Sequence, residues 1–271
     1  MNNSSVSPPT QQRLFFHKFA SSFFPLLFTT GIVAIISVVI LLQQSYHSIT
    51  QNNNNLLIQA QQNINMLFSN VDSIALSIGQ NTRTLDEITE IFEDATLNRE
   101  SKIKTEQYRR FVSSITNSNP YIFSIYVYAN NSNGNFLTSA DEGISNLNSF
   151  YDTDWYASYQ SQKPGIEIWS ERRSVQRYSF DDPLEFISVY RTVYPLGMRR
   201  DGVIVQNVEI KFLERSLSNL DFSDKQQFFI LDETGQALFQ YPQGSALPEN
   251  LSSYICHSTP PQRYARNYVS I

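Results

Sequence analysis

Cysteine is nearly absent from this chain: Cys256 stands alone among 271 residues. No internal disulfide can form, and neither a CxxC redox pair nor a thiolate zinc cluster has its ligands. Histidine is scarce too, with His17, His47 and His257 far apart in sequence. There is no His-Glu-x-x-His, no Gly-x-Ser-x-Gly and no phosphate-cradling glycine loop, so zinc hydrolases, hydrolase triads and nucleotide-binding loops lack their characteristic residues. The sequence reads as non-enzymatic and implies no cofactor. Charge is missing from one long region. No Asp or Glu precedes Asp72, and no Lys or Arg falls between Lys18 and Arg83. Beyond that gap 18 of the 20 basic residues meet all 25 acidic ones, a net charge of −7. A basic face for phosphate contacts is therefore lacking, which excludes nucleic acid as a partner of this portion.

What fills the charge-free region is apolar. Phe19 to Leu42 (FASSFFPLLFTTGIVAIISVVILL) is 24 residues without a charge, and about 20 suffice to cross ~30 Å of hydrocarbon. A cleaved leader would have an apolar core of about 7–15 residues and a small-x-small site; the run is too long, and LLQQSYHSIT offers no such site. Residues 19–42 are therefore expected to be a transmembrane helix. Arg13 and Lys18 precede it, so the positive-inside rule expects residues 1–18 as a polar cytoplasmic stub and the remainder outside the cell.

Residues 43–80 read as a long juxtamembrane helix. Ile49, Leu56, Ala60, Ile64, Leu67, Val71, Ile74 and Ile78, with Asn53 in the one gap, make eight steps in 29 residues. That is the period of a straight amphipathic helix, and its stripe is expected to pack on a second copy, on the chain's own domain, or on both. Thr84 to Glu87 has the spacing of a capping box, and a further helix is expected from about Glu100 to Thr116, stopped at Pro120. The period then changes to two. Tyr121–Ala129 reads as a strand, Asn133-Gly134 as its hairpin turn, and Phe136–Ser139 as the return. A short helix follows Asp152-Thr-Asp154. Strands are expected at Ile166–Trp169, Leu184–Tyr194 and Gly202–Phe212, a short helix at Phe212–Leu220, and a hairpin over Gln227–Leu238. Residues 241–271 show no clear period. The expected class is α+β, an antiparallel sheet on a long N-terminal helix.

Ser124–Tyr128, Asp152-Thr-Asp-Trp-Tyr156, Trp169, Ile187–Arg191, Gly202–Val205 and Phe229–Gly235, behind one membrane helix and a long polar helix, make the sequence resemble the extracytoplasmic Cache sensor region of bacterial receptors. The resemblance is nearest to membrane-bound AraC-type transcriptional regulators and sensor histidine kinases of Gram-positive soil bacteria. It implies stacked PAS-like modules: a membrane-distal one over 81–225, and a membrane-proximal one over 226–271 that is incomplete, because neither a second apolar run nor an output domain follows. It also implies a parallel homodimer and a small extracellular solute as ligand.

In such sensors the resemblance places the ligand in an aromatic-lined cleft on the outer face of the distal sheet. The candidates here are Trp155 and Tyr156 on the short helix, Asp154 beside them, Trp169 and Arg172 on the next strand, and Tyr190 and Arg191 on a central strand. Trp and Tyr join an apolar face to a donor, and Arg grips carboxylates in bidentate pairs. The plain alternatives are core packing for the tryptophans, a solvated face or surface ion pair for the arginines, and helix capping for Asp152 and Asp154. Amino-acid-binding members carry Tyr, four residues, Arg, one residue, Trp-Tyr. Here Asn148 and Thr153 stand at the Tyr and Arg positions, so the carboxylate-gripping Arg is missing and a sugar is ranked ahead of an organic acid and an amino acid. The rival classes are a membrane-anchored surface interaction protein without signalling output and an anchored exoenzyme.

Overall fold

The computed structural model describes residues 10–79, 82–93, 99–140, 143–162, 168–193, 202–220, 227–231, 236–244, 255–256 and 267–270. The chain divides into two compact units, Met1–Asn55 and Leu56–Ile271. One helix, α1 (Thr10–Gly79, 70 residues), runs through both.

In the first unit α1 is the one described helix long and apolar enough to cross a membrane, with an 18-residue window of mean hydropathy 2.6 that is not buried by protein. Apolar side chains from Phe23 to Leu42 stand exposed, Phe24 at 73% and Leu42 at 66%. Its polar groups close on the helix itself. Thr29 donates to the Pro25 carbonyl, Thr30 to the Leu26 carbonyl, both at 3.0 Å, and Ser37 to the Val33 carbonyl at 2.8 Å. That self-satisfaction is what a hydrocarbon environment demands. The helix begins at Thr10, so part of the segment read as a polar stub is helical.

In the second unit the stripe of α1 is consumed by the chain's own sheet. Leu57, Ala60, Ile64, Phe68, Val71, Ala75 and Ile78 share one core with inward residues of the strands, while Ile49 is 59% exposed. Of the options left open by the periodicity, the intramolecular one is seen. Two helices follow, α2 (Thr82–Glu93) and α3 (Arg99–Ser118). Helix α2 starts two residues before the expected capping Thr84, and the Glu87 carboxylate accepts a hydrogen bond from the Tyr108 hydroxyl of α3.

The main sheet is antiparallel, with β1 (Ile122–Ala129), β2 (Asn135–Thr138), β3 (Ile144–Asn146), β4 (Ile168–Val175), β5 (Leu184–Val193) and β6 (Gly202–Glu209) in the order β3-β2-β1-β6-β5-β4. The Asn133-Gly134 turn joins β1 to β2 as expected, with Gly134 at φ +67°, where a side chain would be strained. The Asn133 and Asn135 amides donate to the Phe92 carbonyl at 2.8 and 3.2 Å, which ties this hairpin to the end of α2. Side chains alternate between faces. Ile125, Val127, Ile187, Val189, Ile204 and Val208 join the α1 core. Tyr126, Tyr128, Tyr190, Val203 and Val205 point to the outer face, under helix α4 (Asp154–Ser161).

Three strands of this sheet differ from expectation, and the first is β6, which ends at Glu209, where a helix begins, instead of running to Phe212. Strand β4 runs to Val175 instead of ending at Trp169, and β3 lies in what reads as a loop. Ser-Glu-Arg-Arg-Ser carries no apolar alternation, but β4 is a sheet edge whose polar side chains find partners on both faces. Helix α5 (Ile210–Ser218) leads from β6 toward the second sheet. There β7 (Phe228–Leu231) and β8 (Ala237–Tyr241) form the expected hairpin; its turn, Glu233–Gly235, lies outside the described residues. The tail, read as having no period, adds β9 (Ile255–Cys256) and β10 (Asn267–Ser270), giving the order β8-β7-β10-β9. β10 pairs with β7, Ser270 opposite Phe228 and Asn267 opposite Leu231. A hairpin alone is marginal in water. With β10 beside it, β7 becomes a central strand whose four apolar residues are all fully buried. Strands of two and four residues are too short to show a period.

Candidate ligand-binding site

On the outer face α4 covers the sheet with aromatic rings. Trp155 is fully buried among Tyr126, Tyr128 and Phe136, at centroid distances of 5.8, 5.9 and 5.2 Å. Trp169 of β4 stacks on Tyr190 of β5 at 4.7 Å and 4°. Tyr156 meets Tyr128 edge-on at 5.3 Å. The Trp155 Nε1 hydrogen has no acceptor in this dry cluster. An unpaired buried donor costs about 1–3 kcal/mol.

Beside the rings lies a buried polar network. Arg173 of β4 grips Asp152, Nη1 to Oδ1 at 2.6 Å and Nη2 to Oδ2 at 3.1 Å. Its Nε donates to Ser188 Oγ at 2.8 Å and its Nη2 to Asn207 Oδ1 at 3.0 Å. Asn207 also accepts from Ser188 at 2.7 Å and donates to Ser124 at 2.8 Å. The Tyr126 hydroxyl donates to Asp152 at 2.9 Å. Side chains of Arg173 and Asp152 are only 6% and 1% exposed, so the pair holds together through bidentate geometry and saturated partners. Burial pulls the Arg173 pKa down, but Tyr190 and Asp152 outweigh it and the net direction is up, so the guanidinium stays charged. Next to it Glu171 accepts from the Tyr190 hydroxyl and from Ser158 of α4, the latter at 2.6 Å. Burial raises the phenol of Tyr190, with Glu171 adding to the rise. Burial likewise raises those of Tyr126 and Tyr128, with help from Asp152 and Tyr156 respectively.

A cavity of about 250 Å³ opens on the same face, toward the β4–β5 connection. Phe123, Tyr126, Tyr151, Val175, Arg177 and Phe186 are among its walls.

Four of the residues singled out from the sequence, Trp155, Tyr156, Trp169 and Tyr190, are brought together on this face. Asp154 is exposed in the first turn of α4; the capping position is Thr153, which makes no side-chain cap bond. Arg172 and Arg191 are placed elsewhere. Arg172 pairs with Glu185 at 2.9 Å, and Arg191 pairs with Asp72 of α1 in the inner core. The cause is the two-residue period: in the β4–β5 register Trp169 lies opposite Tyr190 and Arg173 opposite Phe186, so 169, 171 and 173 share the outer face and Arg172 cannot. Sequence reasoning missed Asp152 as an ion partner, and missed Glu171, Arg173, Ser188 and Asn207. Running β4 on to Val175 would have put Glu171 and Arg173 on the face of Trp169. Among the described residues no group of three His, Cys, Asp or Glu side chains could hold a metal ion.

The chain is similar, at a TM-score of 0.44 and 14% identity, to the periplasmic sensory domain of the Campylobacter jejuni chemoreceptor Tlp1, over 72% of this chain and 73% of that one. It is similar at 0.44 and 12% to the ligand-binding domain of the Pseudomonas aeruginosa amino acid chemoreceptor PctC, solved with GABA, over 78% and 93% of the two chains. A third similar structure, at 0.43 and 13% over 76% and 95%, is an extracellular domain assigned to the histidine kinase rpHK1S-Z16. No curated protein matches the sequence. The family model for the Cache domain matches residues 43–265, and the chain belongs to the Cache domain family.

Proposed function

We propose that this chain is the outward, ligand-sensing portion of a membrane-bound signal-transduction receptor, with a small extracellular solute as its signal. Cache domains are extracellular, non-catalytic ligand-sensing modules. The observation that carries the reading for this chain is the outer face: a cavity beside a buried, saturated Arg173–Asp152 network that fastens the segment leading into α4 to the sheet. A ligand there touches Tyr151, in the segment leading into α4, together with Phe186 of β5, so occupancy biases how that segment sits on the sheet.

The N-terminus is cytoplasmic in this reading, supported by Arg13 and Lys18 ahead of the apolar run and no Lys or Arg after it until Arg83. The output is of the AraC-type regulator or histidine kinase class. A homodimer, if formed through α1 outside the membrane, uses the side where Ile58 and Met66 stand 49% and 63% exposed, because the stripe is occupied by the chain's own core. A sugar suits rings beside acceptors, although both oxygens of Asp152 already accept from Arg173 and Tyr126, and those of Glu171 from Tyr190 and Ser158.

The test is a thermal-shift screen of the full chain in detergent against sugars, organic acids and amino acids. A solute at 100 times its dissociation constant adds about 2.7 kcal/mol of stability. A hit supports the reading; a flat response across all three classes counts against it.

A further inference from the structure

The cavity on the outer face has a size and a lining that the polar network beside it does not explain. Its volume of about 250 Å³ exceeds the roughly 150 Å³ that holds a benzene ring and falls below the roughly 300 Å³ where drug-sized pockets begin. It is therefore the size of a one-ring solute. Aromatic and aliphatic side chains make up most of its described wall. Phe123 and Phe186 lie 4.9 Å apart, centroid to centroid, and Tyr126 and Tyr151 contribute further ring surface. Phe123 is 46% exposed while Phe186 and Tyr126 are buried, so the rings lead from solvent to the sheet. A planar ring inserted among them gains edge and face contacts beyond the area it buries.

The polar side chains here are few and mostly engaged. The Tyr126 hydroxyl donates to Asp152, whose oxygens also accept from Arg173. Of the described residues that line the cavity, Arg177 is the one charged side chain, and its guanidinium is engaged over the rings of Tyr151 and Tyr178, at 5.5 and 5.3 Å from the centroids. A charged solute entering this space would leave water with no opposite charge set aside for it, and a polyol would give up more hydrogen bonds than the wall replaces. Ser139 is different. Its hydroxyl oxygen accepts from the Ile125 amide at 2.9 Å, while its own hydrogen is given to no acceptor among the described residues. The wall therefore offers ring surface and one hydroxyl donor.

We infer that this cavity binds an uncharged single-ring solute carrying an acceptor oxygen, with the ring among Phe123, Tyr126 and Phe186 and the oxygen on the Ser139 hydroxyl. The inference rests on the outer face being the sensing face; it names a class of solute and adds uncharged aromatics to those screened for that reading.

The test is calorimetric titration of the full chain in detergent with acetophenone and benzamide, each corrected by titration into detergent alone. Benzoate (the same frame with a charge), toluene (a ring without oxygen), acetamide (the oxygen without a ring) and glucose serve as comparison probes. At least one ring carbonyl compound is expected to bind saturably and about tenfold or more tightly than benzoate or acetamide. Ala140→Phe should abolish that binding by filling the space. Ser139→Ala should weaken acetophenone about fivefold and leave toluene unchanged, a split that a general loss of structure would not produce. An acetophenone affinity unchanged in Ser139→Ala overturns the place given to the oxygen. Benzoate, acetamide or glucose binding more tightly than both ring carbonyls, and lost in Ala140→Phe, overturns this solute class and leaves the sensing face standing. Ring carbonyls that bind equally to the parent and to Ala140→Phe overturn the cavity and count against the sensing face as well. No binding of either ring carbonyl overturns the inference outright.

Discussion

Arg191 on β5 and Asp72 on α1 are 119 residues apart in the chain and form a buried ion pair, each side chain only 10% exposed. The pair joins the long helix to a strand whose preceding residue, Tyr190, lies on the opposite, outer face beneath Trp169. Removing one partner leaves a charge buried and uncompensated, at a cost of about 3–5 kcal/mol. Asp72→Ala should therefore destabilise the chain by that order in chemical denaturation. The double variant Asp72→Leu with Arg191→Met should recover most of the loss. Equal losses in the single and double variants would show the pair to be energetically idle.

The two tryptophans should separate under substitution. Trp155 is fully buried among three aromatic rings, whereas Trp169 is half-buried and stacks on one. Trp155→Ala should cost about 3–5 kcal/mol, the range for emptying a large buried side chain. For Trp169→Ala the loss of the stack contributes about 0.5–1.5 kcal/mol beyond its area, and the fold should survive. Denaturant midpoints at constant slope decide it; a Trp155→Ala protein as stable as the parent would place that ring outside the core.

How much of this was legible in the sequence depends on whether a signal is local. The long apolar helix, the part of the 3.6-residue stripe from Leu56 to Ile78, the Asn133-Gly134 turn and strands β1, β5 and β6 each carry a composition, period or turn residue that reads directly. Strand β10 does not, because four residues show no period and its place is fixed by β7, a partner about 40 residues away in the chain. The site divides in the same way. Trp155, Tyr156, Trp169 and Tyr190 are recognisable by residue type. The choice of Arg173 over Arg172 depends on strand phase, and phase follows from how far β4 extends. Asp152 reads as a helix cap because Asp before a helix usually is one; its actual partner lies 21 residues on.

The buried phenols give the fold an alkaline limit. Tyr126, Tyr128 and Tyr190 are held above the ordinary phenol value of 10.0, chiefly by burial. In the unfolded chain they ionise near that ordinary value, so the unfolded state releases protons first as the pH rises. Their contribution to stability is complete below pH 10 and is lost progressively above it. Melting temperature should fall from about pH 10 upward, and absorbance at phenolate wavelengths should show a late group of tyrosines titrating together with unfolding. If all 15 tyrosines titrated reversibly near 10 in the folded chain, the buried cluster would be disproved.

The central claim is that the outer face of the six-stranded sheet receives the signal. The chain supplies its own reporter, because its two tryptophans, Trp155 and Trp169, both belong to the aromatic cluster on that face. The most direct measurement is tryptophan emission during titration of the full chain with a solute that raises its melting temperature. The account predicts a saturable change in emission whose midpoint matches the stability-derived dissociation constant, with the Trp169 share lost in Trp169→Phe. A solute that stabilises the chain while leaving the emission of both tryptophans unchanged would place its site elsewhere and contradict the account.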